Sequence, residues 1–206
     1  MKELFTIGHS NHSSDRFIEL LRRHGVTAVC DVRSHPYSRH NPQFNRENIQ
    51  RELKRHNISY VFLGKELGPR SDDPDCYRDG KVQYQLLAQT PIFRQGLERL
   101  RNGMHSYRIA LMCAEKDPIM CHRKILVCRY LKSEDVAIKH ILEDGTIETV
   151  ADAEKRLMRL LDIPQLQLFE NTEELIQRAY DIQSENIAYV EPADEDSYVN
   201  KGSNNS

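Results

Sequence analysis

Short apolar runs alternate along the chain with amphipathic stretches, the pattern of strands that cross over through helices. The run LFTIGHS is rich in β-formers and stops at Gly8. Ser13 or Ser14 can then cap a helix in which Phe17, Leu20, Leu21 and His24 recur at helical spacing. A second apolar strand, Val26 to Val32, follows, so the first 32 residues read as a βαβ unit. Two prolines and two asparagines make SHPYSRHNPQFN an ordered loop before a basic helix of about Arg46 to His56.

ISYVFL reads as the third strand, SYRIALMC as the fourth and DVAIKHIL as the fifth. Between the third and fourth, RSDDPDCYRDGK is a loop or lid. Beyond it, Tyr84, Leu87, Ile92, Phe93, Leu97 and Leu100 support helix on either side of Pro91. CAEKDPIMCHRKILVCRYL passes from strand through a proline turn into a helix. After EDGT, Ala151 to Leu161 and Thr172 to Ser184 are expected to be helical, separated by a turn at Pro164.

These elements predict one α/β core, a mostly parallel sheet of about five strands flanked by helices. The core domain covers residues 1–150 and a helical C-terminal extension of the same core covers 151–190. Residues 191–206 lack the apolar content to fold and are expected to be a disordered tail.

At 206 residues the chain has the length of one ordinary domain, enough to bury a core without staples. Its 29 basic residues nearly cancel its 31 acidic ones, a formal net charge of −2 that supplies no global field for nucleic acid. A local basic surface stays open, because Arg33, Arg39, Arg46, Arg51, Lys54 and Arg55 crowd one stretch. No segment approaches the roughly 18 apolar residues of a membrane helix, and MKELFTIGHSNHS has no long apolar leader region. The expected location is therefore the cytoplasm, with no membrane partner. Five cysteines without an export signal read as thiols that serve as core residues, ligands or nucleophiles. Oligomeric state and cofactor are not legible.

Four predicted strands end in polar clusters: Gly8-His9-Ser10-Asn11, Asp31-Val32-Arg33-Ser34, Gly64-Lys65-Glu66-Leu67-Gly68 and Cys113-Ala114-Glu115-Lys116-Asp117. Loops are polar in any protein. A parallel sheet, however, brings its carboxyl ends to one edge, where ligands of such sheets bind. The four clusters together predict one cleft.

TIGHSN, DVRSHPYSRHNPQFN, YVFLGKELG and LMCAEKDPIMCHR resemble the successive motifs of a bacterial and archaeal family, domain of unknown function 488, over about residues 4 to 132. The chain departs from that pattern at Gly68-Pro69, where the family usually has two glycines. The resemblance implies the fold and the importance of these positions, and no reaction.

Arg33, Arg39, Ser10 and Ser34, with Arg123 further on, are the residue types that hold a phosphate or carboxylate. Asp31 and Arg33 could equally pair within the fold, and Phe44 could stack on a base or pack in the core. His9 titrates near neutrality and could be a general acid or base, or a structural histidine. His12 and His40 read as solvated.

CAEKDPIMCHR concentrates the most chemistry, and three mechanisms compete for it. Cys113 could be a nucleophile, although Ile119 stands where a cysteine phosphatase has its arginine. Cys113, Cys121 and His122 could bind a soft metal with His9 or water as a fourth ligand, although the spacing fits no standard finger. Asp31, Glu66 and Glu115 could supply a carboxylate pair for glycosidic chemistry. Cys30 and Cys128 are expected in the core and Cys76 in a polar loop. The leading expectation is an enzyme, a hydrolase or transferase, acting on an anionic, phosphate-bearing small molecule or nucleotide. The alternatives are a nucleic-acid or nucleotide-binding module and a Cys/His metal-binding protein.

Overall fold

The computed structural model describes residues 2–132, 135–164 and 171–192. Strand β1 (Lys2–Gly8) is followed by helix α1 (Ser14–Arg23), capped by the Ser13 side chain accepting from the Arg16 N–H. Strand β2 (Ala28–Asp31), helix α2 (Arg46–Arg55), strand β3 (Ser59–Phe62) and the single turn α3 (Gly64–Leu67) come next. A two-stranded hairpin, β4 (Tyr77–Arg78) and β5 (Lys81–Val82), precedes α4 (Tyr84–Leu87) and α5 (Pro91–Gly103). Strand β6 (Ile109–Cys113) leads through a 3₁₀ turn into a π-helix, Arg123–Cys128, that runs on as α6 (Arg129–Leu131). The chain closes with β7 (Val136–Ile141), β8 (Ile147–Thr149), α7 (Val150–Leu160) and α8 (Thr172–Ile187).

The main sheet has the order β3-β2-β6-β1-β7-β8, parallel except for β8, which pairs antiparallel with β7. The five expected strands are all present, and β8 is a sixth. Its signal is Asp144-Gly145 between two apolar runs, a tight hairpin in which Gly145 takes φ +87° and Leu142 N–H bonds Thr146 O.

Alternate residues of each central strand enter two different cores. Phe5, Ile7, Val29, Ala110 and Met112 pack under α1 and α2 with Phe17, Ile49 and Leu53. Leu4, Cys30, Leu111 and Cys113 pack on the other face with Phe93 of α5, Leu126 of the π-helix, Leu157 of α7 and Tyr180 of α8. Burial on both faces is why these strands are apolar at nearly every position instead of at every second one.

This layering positions the cleft. The chain leaves β1 and β2 towards the α1/α2 face, whereas β6 lies between them and sends its continuation to the opposite face. The connections on either side of β6 therefore part company, and a crevice opens at its carboxyl end, as in open α/β sheets generally. That end carries Cys113.

In the segment after Gly68, expected to be a loop or lid, Cys76 is buried, and the segment after α8 hydrogen-bonds to the hairpin through Val82 N–H to Tyr189 O and Glu191 N–H to Gly80 O. The tail expected over 191–206 thus begins with a hydrogen-bonded Glu191, and from 193 onward it lies outside the described residues. Among the described residues no helix is long and apolar enough to cross a membrane.

Candidate functional site

Two hollows flank the 113–115 segment. On the β2 side a cleft of ≈ 310 Å³ is lined by Arg33, Ser34, Arg70, Tyr84, Cys113, Glu115, Cys121, His122 and Tyr189, among others. On the β1 side a more polar hollow of ≈ 420 Å³ is lined by His9, Ser10, Asn11, Arg33, Ser38, Asn41 and Glu115. Arg33 and Glu115 face both.

Glu115 is presented by close backbone packing. At Gly8 any Cβ would collide with the Glu115 carbonyl oxygen, so only glycine lets β1 end against this segment. The buried Arg123 holds the same segment from behind, donating to the carbonyls of Glu115 and Lys116. Arg123 is thus a loop clamp and lines neither hollow. The Glu115 side chain is exposed and, among the described residues, has no hydrogen bond or ion pair.

Arg33 is anchored within the fold. Its Nε and Nη2 donate to the two Asp31 carboxylate oxygens at 2.9 and 2.7 Å, Nη2 also donates to Phe44 O at 2.9 Å, and Nη1 donates to His9 Nε2 at 3.0 Å. Asp31 is wholly buried and accepts a further bond from Tyr60 OH at 2.9 Å. A carboxylate so engaged is a structural anchor, so Asp31 is removed from the catalytic carboxylates. A guanidinium has five N–H groups, and these bonds use four, which leaves one Nη1 donor on the residue that faces both hollows.

His9 is likewise fixed. Its Nδ1–H donates to Ser10 O at 2.9 Å, its Nε2 accepts from Arg33, and its ring stacks on Phe44 at 4.3 Å between centroids. Burial, and then the Arg33 charge, lower its pKa to about 4, so His9 is neutral at physiological pH. It orients Arg33 instead of carrying a mobile proton. Phe44 is core, with none of its surface exposed.

Cys113, Cys121 and His122 converge at the floor of the cleft, all buried, with the two Sγ atoms and His122 Nδ1 within 4.8 Å of one another. The sequence misleads here because adjacent residues on one helix diverge. Cys121 instead sits in extended backbone (φ −137°, ψ 138°) after the 3₁₀ turn, and His122 in helical backbone (φ −58°, ψ −26°) before the π-helix. The kink between them aims both side chains at Cys113. In the thiol pair, Cys113 is the group pushed up, by its bond to Cys121 and by burial. Burial raises Cys121 too, but the hydrogen bond from Cys113 and the nearby Arg123 charge outweigh it and hold Cys121 low.

The remaining expected residues lie apart. Glu66 pairs with Arg99 of α5, and it lines neither hollow. Arg39 is exposed and lines neither. Ser10 borders the polar hollow in left-handed backbone (φ +47°), and Ser34 Oγ in the cleft is buried with no hydrogen bond among the described residues. Gly68 keeps an ordinary φ of −70° in extended backbone, which suits the following proline and places Pro69 on the cleft wall.

Sequence reasoning missed Arg70, Tyr84 and Tyr189. Arg70 stacks its guanidinium on the Tyr189 ring at 3.9 Å and has no carboxylate partner among the described residues. Burial raises the Tyr84 phenol, as do the two neighbouring sulfurs. A loop or lid was legible in the Pro69 to Lys81 composition, but nothing local ties it to a residue more than a hundred positions away. Along α2, by contrast, Arg51 bonds Asn48, Arg55 pairs with Glu52 and Arg46 stacks on Phe62, so its cations are largely engaged.

Residues 13–130 match the family described as "Domain of unknown function DUF488". No curated protein and no solved structure matches the chain.

Proposed function

Since the chain belongs to the DUF488 family, whose description assigns no reaction, its activity is read from its own residues, and we propose that it is an enzyme acting on an anionic small molecule in the β6 cleft. The observation that carries this is the pairing of unspent charges around one hollow. Arg70 has no carboxylate partner among the described residues, Arg33 keeps one donor, and the Glu115 carboxylate, unpaired among the described residues, lines the same cleft.

Two guanidinium groups select an anion, phosphate or carboxylate, by planar charge-assisted hydrogen bonds. Glu115 is the acid/base candidate, since a catalytic carboxylate must be free of internal partners and within reach of the ligand. The Asn11, Ser38 and Asn41 side of the polar hollow suits the uncharged, hydrogen-bonding remainder of a nucleotide-like molecule. A phosphate-bearing substrate, with hydrolysis or transfer as the reaction, is the class these groups fit.

The test measures thermal stabilisation by inorganic phosphate and by a panel of nucleoside phosphates, followed by turnover of those that bind. Arg70→Ala should weaken binding by about 10- to 100-fold, the worth of a hydrogen bond to a charged group. Glu115→Gln should keep binding and lose about 10²- to 10⁴-fold in kcat. A wild-type protein stabilised by none of these anions overturns the reading.

A further inference from the structure

The floor of the cleft is built more tightly than an anion site requires. His122 Nδ1 lies 3.6 Å from Cys113 Sγ and 3.9 Å from Cys121 Sγ. An ion with metal–sulfur bonds of about 2.3 Å and metal–nitrogen bonds of about 2.0 to 2.1 Å, at tetrahedral angles, sets sulfur and nitrogen about 3.6 Å apart. The two sulfur–nitrogen edges therefore already match that tetrahedron, and the sulfurs, within 4.8 Å of each other, need close only to about 3.8 Å to complete the face.

A second, independent observation concerns the imidazole. His122 Nε2–H donates to Val32 O at 2.9 Å. That bond places the ring proton on Nε2 and turns the Nδ1 lone pair towards the sulfurs, the outer bond that typically fixes a metal-binding histidine. His9, the other imidazole nearby, is no ligand, since its Nε2 accepts from Arg33.

We propose that Cys113, Cys121 and His122 hold one zinc-like divalent ion whose fourth position opens into the cleft. Two sulfurs and one imidazole suit zinc and disfavour magnesium or calcium, which take oxygen ligands. Three protein ligands with an open fourth position mark a working site instead of a closed structural one. An ion there polarises an oxygen bound to it, and Glu115, two residues beyond Cys113 and outside the ligand set, lines the same cleft to exchange the proton. The site stands without the anionic-substrate reading, because it rests on different atoms.

The experiment uses the full chain, purified without added metal and titrated with Zn²⁺ and with Co²⁺. One ion per chain is expected, and the cobalt form should show thiolate-to-cobalt charge-transfer absorption together with the intense visible bands of tetrahedral coordination. Cys121→Ser and His122→Ala should each weaken Zn²⁺ binding by more than ~100-fold, beyond the effect of losing an outer-shell partner. Cys128→Ala, in the core, should leave it unchanged. If the ligand variants do not fold, alkylation of the wild-type chain decides: Zn²⁺ should protect Cys113 and Cys121 while leaving the other thiols as they were. A folded wild-type chain that binds no stoichiometric ion, or binds cobalt without the charge-transfer band, overturns the proposal. Phosphate stabilisation measured on metal-free and metal-loaded samples reports separately on the anion reading.

Discussion

His9 shows how a residue read as a proton carrier becomes a structural one. Burial and the Arg33 charge take its pKa from 6.5 in the open chain to about 4 in the fold. Between those values the unfolded chain binds a proton that the native chain refuses, so this contribution to stability is whole above pH 6.5 and is lost as pH falls to about 4. Buried His140, lowered chiefly by burial, acts in the same direction. His9→Asn should therefore flatten the acid limb of unfolding free energy against pH, by at most ~3 kcal/mol. Denaturant titrations between pH 4 and 7 check this, and an unaltered limb would mean that the native state binds the His9 proton as readily as the unfolded chain does. The same reading applies at Asp31, where four accepted hydrogen bonds from Arg33 and Tyr60 leave no free lone pair to do chemistry.

At the scale of elements, the end of β1 decides where Glu115 stands. The Gly8 backbone runs against the Glu115 carbonyl with no room for a Cβ, and Arg123 pulls the same carbonyl from the far side. Gly8→Ala should force the two strand ends apart and cost about 1–3 kcal/mol, the usual penalty of overpacking a close contact. Because the displaced segment carries Cys113 and Glu115, metal and anion binding should weaken together. Urea unfolding with the two binding assays measures both effects; a stable variant with full binding would show that the segment is not held by this contact. Helix α8 is a counterexample in which local sequence suffices: Asn171 and Glu174 form a reciprocal capping box that fixes its start without help from the core.

For the whole molecule, α7 and α8 pack into the same core as the sheet. Leu157 of α7 and Leu175, Ala179 and Tyr180 of α8 share one apolar cluster with Leu4, Ala28 and Leu111 of the sheet. Buried Lys124 donates to Tyr180 OH at 2.7 Å, and that hydroxyl donates to Glu154 at 3.0 Å, joining the π-helix, α8 and α7 in one polar network. A core so shared should unfold as one unit. Far-ultraviolet dichroism and tyrosine fluorescence, the chain having no tryptophan, are expected to give coincident transitions. Two separated midpoints would show that α7 and α8 form an independent unit.

The order of strands and helices and the class of fold were written in the sequence, because periodicity and caps are local properties that neighbours in the chain enforce on one another. So was the crowding of polar residues at strand ends, since it follows from where apolar runs stop. Which of those residues meet was decided by the tertiary structure. The placement of β6 between β1 and β2 put Cys113 at the crevice, drew Arg33 onto His9 and Asp31, and sent Glu66 away to Arg99. Strand order depends on packing two faces at once, and neither that order nor the backbone kink at Cys121-His122 leaves a period that can be read along the chain. The Arg70–Tyr189 wall lay further still from sequence reading, because it joins positions whose only relation is that both fold over the same cleft.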